Sequence, residues 1–196
     1  MIRGSLALIA CVALVAGCGS TPKERFYVLG TADTGKAPVA TASYSVVVGP
    51  ISVPETVDRP QFVLRTGSNQ VMVSELNRWA EPLKKAIPRV IAAHLALQLG
   101  TYQVYTYPQT ISPDPDFRVL VDVQRFELAP GQQEVILEAL WSIQRGAKGD
   151  LKPGHSLIRE TSTSGDYGAL VSAQERALTQ MSQAIAESVR TMDPAH

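Results

Sequence analysis

The stretch FRVLVDVQRFEL, residues 117–128, is followed after a five-residue gap by EVILEALWSIQRG, residues 134–146. In the second stretch Val135, Leu137, Ala139, Trp141 and Ile143 share one parity, and Glu134, Glu138, Ser142 and Gln144 share the other. Successive side chains on a strand point to opposite faces, so this two-residue period predicts a strand with one buried and one solvated face. The first stretch behaves alike through Phe117, Val119, Val121 and Val123, and then its phase slips so that Phe126 and Leu128 continue the apolar series. One extra residue near Gln124 and Arg125, a β-bulge, absorbs such a slip while keeping the apolar set on the core side. The two stretches therefore predict an antiparallel pair with one buried face.

Upstream, YSVVVGPISVP (44–54) is a β-branched run ending at a proline, and QFVLRT (61–66) and QVMVSE (70–75) flank the short link GSN in the manner of a hairpin. FYVLG (26–30) predicts a first short strand, and HSLIRETSTS (155–164) a last one. TADTGKAPVATAS (31–43) lacks periodicity and predicts a flexible connection. Between Pro82 and Leu99 the period changes: Leu83, Ile87, Val90, Ile91, Leu95 and Leu99 recur at helical spacing. Pro82 suits the first turn of this helix, Pro88 should kink it or displace its start, and Gly100 should stop it. A second helix carries the stripe Leu178, Met181, Ile185 and Val189, with Ser172 and Glu175 spaced as a capping box. No internal repeat is present. The expectation is a single α+β domain over 44–193, with a mixed, mostly antiparallel sheet and two amphipathic helices packed on one face.

The N-terminus, MIRGSLALIACVALVAGCGS, has one early cation and an apolar run from Leu6 to Ala16, too short to span a bilayer and typical of a secretory signal. Val15, Ala16 and Gly17 before Cys18 resemble a bacterial lipobox, which implies a signal peptide over 1–17 and a lipidated Cys18 as first mature residue. Residues 18–43 then hold the lipidated cysteine, a tether, the first short strand and the linker. Seven residues, GSTPKER, separate Cys18 from FYVLG, a reach of about 25 Å at most. Gly19 and Ser20 in place of an aspartate after the cysteine imply an outer-membrane lipoprotein facing the periplasm rather than inner-membrane retention. Both cysteines, Cys11 and Cys18, lie in the signal region, which excludes a disulfide, a thiol nucleophile or a thiolate metal site from the folded part. Eighteen Lys+Arg balance 18 Asp+Glu, so the basic footprint of a nucleic-acid binder is missing.

The stretch LNRWAEPL (76–83) joins the hairpin to the first helix. Its local physics is structural: Arg78 and Glu81 at a spacing of three predict a surface pair, Glu81 suits a helix N-terminus, and Trp79 can cover the junction. Taken with the preceding segment it resembles more. Gly49, Pro50, Val53 and Pro54, then Asp58, Arg59, Pro60 and Gln61, then Arg65, and finally Arg78, Trp79, Ala80, Glu81, Pro82 and Leu83 resemble the signature of the ABC-transport auxiliary lipoproteins, the PqiC-type proteins that accompany MCE lipid-transport systems. The resemblance covers nearly the whole mature chain. It implies a membrane-anchored accessory subunit without transport chemistry, docking an MCE-domain conduit to the outer membrane, with a homo-oligomeric ring as one arrangement.

Enzyme chemistry has no support in the residues. His94, His155 and His196 join no metal-ligand spacing, and no nucleophile elbow or phosphate loop is present. Asp114 and Asp116 with Ser112 are turn formers between prolines rather than a cation loop. No cofactor is expected beyond the covalent lipid on Cys18. The remaining candidate is a contact surface on PETVDRPQ (54–61) and the adjacent hairpin: Asp58, Arg59, Pro60, Gln61 and Arg65, with Asp58 and Arg59 lacking an evident partner in the local pattern. Arg78, Trp79, Glu81 and Pro82 form the structural motif beside it. A general envelope-integrity adaptor and a direct lipid carrier share the same tether and domain. Alternating strands look alike whether their apolar face meets a helix or an acyl chain.

Overall fold

A computed structural model describes residues 22–30, 42–108 and 114–193. The signal segment with Cys18, most of the 31–43 connection, Ser112 and His196 lie outside the described residues. The elements run β1 (Arg25–Tyr27), β2 (Val46–Ser52), β3 (Gln61–Arg65), β4 (Val71–Trp79), α1 (Leu83–Leu99), β5 (Val104–Thr106), β6 (Phe117–Ala129), β7 (Glu134–Arg145), β8 (Leu151–Thr161) and α2 (Tyr167–Met192).

β6 is the spine of one eight-stranded sheet. β7 pairs antiparallel along its whole length, from Phe117↔Arg145 to Ala129↔Glu134, with the register shifting between Val123 and Arg125. That shift leaves Gln124 unpaired, at the bulge which the phase slip predicts. Since β7 occupies one edge of β6, β2 and β3 share the other: β2 runs parallel to Phe117–Asp122, and β3 meets β6 at Leu64↔Leu128. β5 extends β2, and β4 and β1 extend β3 to the far edge. The long ladders, β6–β7 and β7–β8, and the β3–β4 hairpin are antiparallel. The parallel contacts of β1, β2 and β5 join segments distant in sequence, which no local pattern specifies. β1 is thus part of the same sheet as the rest.

Both helices cover one face, α1 over β2 and β5, α2 over β7, β8 and part of β6, and they pack on each other. Val135, Leu137, Ala139 and Ile143 on β7 are fully buried beneath them, as are Leu178, Met181, Ile185 and Val189 of α2. The apolar face of the sheet therefore meets helices.

Three local expectations are corrected. β8 begins at Leu151, four residues before the predicted strand, and includes Pro153. Arg145 N–H donates to Asp150 (3.1 Å) and Ser162 N–H to Gln133 (2.6 Å), bracketing the β7–β8 ladder. The alternation of an antiparallel ladder then turns odd-numbered β8 backbone groups, Pro153 among them, away from β7, where a missing N–H is tolerated on an edge strand. Gly154 stands opposite Trp141, where a Cβ would overlap the indole. The Trp141 Nε1–H is satisfied by Ser156 Oγ at 3.0 Å.

Pro82 is the N-cap residue of α1 rather than part of its first turn, and the helix starts at Leu83 and continues through Pro88, whose start-shifting role is not needed. Gly100 ends it in the left-handed conformation at φ 64°, as expected of a residue without a Cβ. α2 begins at Tyr167, capped by the Asp166 side chain accepting from Ala169 N–H at 3.0 Å. Ser172 and Glu175 lie inside it and form no capping box, because the extended segment ends at Asp166. Glu175 instead accepts the Gly30 N–H at 2.6 Å.

His94 is buried between the helices, 3.2 Å from Thr179 Oγ1. Thr179 donates its own proton to the Glu175 carbonyl (2.8 Å), so its oxygen accepts from His94 Nε2–H. Burial lowers the imidazole pKa below its ordinary 6.5. The unfolded chain therefore binds this proton more readily, and stability is full above 6.5 and declines as pH falls from there toward the folded value. Urea midpoints measured from pH 7.5 to 5.5 should fall in the wild type, and this slope should flatten in His94→Gln.

Candidate docking cleft and charge ladder

LNRWAEPL spans the end of β4, a tight junction and the start of α1. Trp79 closes the strand with its ring buried against Phe62 (centroids 4.3 Å apart) and Phe126 (6.1 Å). Phe62 also meets Tyr27 at 4.9 Å and Tyr167 at 5.7 Å, so the aromatic group ties β1, β3, β4, β6 and α2 together. Two backbone bonds lock the junction to its neighbours: Trp79 N–H to Pro60 (2.7 Å) and Ala80 N–H to Tyr27 (2.8 Å).

These bonds bring two motif segments, separate in sequence, onto one cleft of about 410 Å³ lined by Asp58, Arg59 and Pro60 on one side and Trp79, Ala80, Glu81 and Pro82 on the other. Asp58 pairs with Lys84 at 2.6 Å. That partner is on α1, beyond the reach of a local pattern. Glu81 pairs with Arg89, which also donates to the Leu29 carbonyl at 2.8 Å. Arg59 is exposed, and among the described residues its side chain makes no hydrogen bond or ion pair. The cleft's two carboxylates are thus neutralised within the chain while its guanidinium is available.

The predicted Arg78–Glu81 pair does not form. Arg78 belongs to a strand, lies beside Phe26 and Gln61, and reaches Glu24 at 2.8 Å. A spacing of three brings side chains together on a helix, not across the end of a strand.

Of the predicted contact residues, Asp58, Arg59 and Pro60 line the cleft, and Gln61 follows as the first residue of β3. Arg65 lies elsewhere, in a ladder of charges crossing the sheet on the face opposite the helices. Its Nε and Nη2 donate to both oxygens of Glu127 at 2.5 and 2.6 Å. Arg125 donates to the same carboxylate at 3.0 and 3.1 Å and approaches Glu138 at 3.7 Å, and Glu138 meets His155 at 3.2 Å. Sequence reasoning missed this ladder. Its only trace was that Glu127 and Glu138 fall on the solvated parity.

Burial raises the Glu127 carboxyl pKa, but the hydrogen bonds and charges of Arg65 and Arg125 outweigh it and bring the group to about 2, from an ordinary 4.5. A depressed carboxylate stabilises the fold fully above its unfolded value and loses that contribution as pH falls through the folded one. Glu127→Gln is expected to cost about 2 kcal/mol at pH 7, the scale of charge-assisted bonds lost from a mostly covered site. Acid titration of unfolding between pH 5 and 2 should then show a shallower slope in the variant.

Asp116 serves a strand start: its Oδ2 accepts from Ser45 N–H (2.7 Å) and Oγ–H (2.9 Å), joining β2 to β6. Among the described residues, no three His, Cys, Asp or Glu side chains are grouped to hold a metal ion. No helix among them is long and apolar enough to cross a membrane.

A family model described as ABC-type transport auxiliary lipoprotein component matches residues 27–186. No curated protein matches the chain. Among solved structures, an uncharacterized protein is similar at 20% identity and a TM-score of 0.69, over 86% of this chain and 99% of that one. Protein XCC0632 from Xanthomonas campestris, of the DUF330 family, is similar at 18% identity and a TM-score of 0.64, over 86% of this chain and 100% of that one. At these identities the likeness is one of fold.

Proposed function

The chain belongs to the family of ABC-type transport auxiliary lipoprotein components, and from that premise we propose that it is a non-enzymatic accessory subunit of an MCE/ABC-type intermembrane lipid-transport system. It is held in the outer membrane by lipid on Cys18, faces the periplasm and docks the transport conduit there. The observation that carries this reading is the convergence of Asp58–Pro60 and Trp79–Pro82 on one cleft beside β1, the element closest in sequence to the anchor. The cleft offers a stiff, proline-flanked wall and an unengaged cation, features suited to holding a partner rather than to proton or group transfer. The sheet's apolar face being filled by α1 and α2 speaks against a carrier that stores lipid between sheet and helices.

Substituting Asp58→Asn together with Arg59→Gln tests the reading. The Asp58–Lys84 pair is partly exposed, so its loss costs the fold under about 1 kcal/mol. Recovery of the MCE partner after detergent solubilisation should fall several-fold while the melting temperature holds. Undiminished recovery from a normally folded variant removes the cleft from the docking surface.

A further inference from the structure

We infer that the outer side of β1 and the residue just beyond it, bearing Phe26 and Val28, rests on the lipid surface to which the chain is anchored, as a second contact beside the covalent lipid; the inference depends on the anchored reading above. Phe26 is 61% exposed and Val28, one residue past the strand, 55%, in a segment that the structure holds firmly. The hold is many-sided. Tyr27 between them turns inward onto Phe62, its carbonyl accepts the Ala80 N–H, the carbonyl of buried Leu29 accepts from Arg89, and Gly30 N–H donates to Glu175. Glu24 is pinned to Arg78 on the neighbouring strand. With Tyr27 fixed inward, strand alternation fixes Phe26 outward, and Val28 just past the strand is exposed as well.

The patch extends onto β4. Phe26 is in register with Arg78, and Leu76, two positions before Arg78, is also exposed. On the same parity as Phe26 the neighbouring charges, Glu24 and Arg78, neutralise each other, while Arg25 has the parity of Tyr27 and belongs to the other side of the strand. Exposed apolar side chains beside an internally neutralised ion pair suit a bilayer surface, where aromatic rings sit at headgroup level.

Chain length selects the occupant. Cys18 precedes Phe26 by eight residues, about 28 Å when fully extended and less otherwise. A lipid on Cys18 therefore confines this edge near the bilayer. A contact too weak to recruit the free domain becomes populated under such confinement, because the second binding step is intramolecular. The cleft adjoins β1 through the Ala80–Tyr27 bond, so this contact would fix the height and tilt at which the cleft meets its partner.

Both natural cysteines lie at or before the lipidation site, so the processed lipoprotein carries no free thiol. Phe26→Cys, Val28→Cys and, on the opposite edge of the sheet, Leu157→Cys each supply a single labelling site; the Val28 variant keeps Phe26 in place. The full lipoprotein, labelled with an environment-sensitive fluorophore, is reconstituted in vesicles of phosphatidylethanolamine and phosphatidylglycerol containing nitroxide-bearing lipid. Labels at 26 and 28 should be quenched several-fold more than the label at 157. Equal, weak quenching at all three positions, in protein that still floats with the vesicles, overturns the contact and leaves the anchor intact. Protein that does not float with the vesicles overturns the anchor, and the contact with it.

Discussion

Trp79→Ala is expected to lower the unfolding free energy by about 3–5 kcal/mol, the range for removing a large aromatic from a core that cannot collapse around the gap. The indole is only 6% exposed, and rings from two different strands, Phe62 and Phe126, contact it. Relaxation is hindered because the adjoining backbone is fixed at both ends by the bonds from Trp79 to Pro60 and from Ala80 to Tyr27. Because Phe62 also holds Tyr27 and Tyr167, the loss should loosen β1 and the start of α2 as well as the junction itself. Trp79→Phe keeps an aromatic in place and should cost clearly less. Urea unfolding at pH 7 measures both. A loss under about 1 kcal/mol for the alanine variant would mean that the cavity closes, and that the junction is held by its backbone bonds alone.

Cys18→Ala is expected to empty the membrane fraction of the protein, whichever envelope membrane holds the wild type. Each buried methylene contributes about 0.8 kcal/mol, one acyl chain gives only marginal binding, and the several chains of a bacterial lipoprotein make attachment effectively irreversible. The patch at Phe26 and Val28 has too little apolar area to replace them. Cys11→Ala should leave fractionation unchanged, since only about six apolar residues precede that cysteine, fewer than the usual apolar core of a signal. Membrane flotation followed by mass measurement of the mature N-terminus reads both variants. Membrane recovery of Cys18→Ala at the wild-type level would place the anchor elsewhere.

Local pattern succeeded where neighbouring residues supply their own partners. The alternation of 134–146, the phase slip at Gln124, the hairpin around GSN and the glycine stop at residue 100 are all present in the structure. It failed where two spacings were chemically equivalent. Ser172 and Glu175 have the form of a cap, but the helix had already begun at Asp166. Arg78 and Glu81 are spaced for a helical pair, but the first of them stands on a strand. HSLIRETSTS omitted the first four residues of β8, among which Pro153 is acceptable through its outward position on an edge strand.

The candidate site divides in the same way. Asp58, Arg59 and Pro60 were legible through the resemblance, and so were Trp79, Glu81 and Pro82, as two motifs some 20 residues apart. That they face one another across a cleft was not, since it follows from the Pro60–Trp79 and Tyr27–Ala80 bonds. The sequence groups Arg65 with Asp58, Arg59, Pro60 and Gln61 in the contact set. The structure engages it with Glu127, a residue 62 positions away.

By itself the sequence determined the class of fold, the existence and order of the two helices and the place of the bulge, because each depends on periodicity within a short window. The tertiary structure alone decided which edge of β6 receives β2 and β3, which carboxylate each arginine finds, and which apolar side chains at and just past β1 stay in the open. Those outcomes depend on contacts between distant segments, whose formation is settled by packing the whole chain and leaves no mark within any window of it.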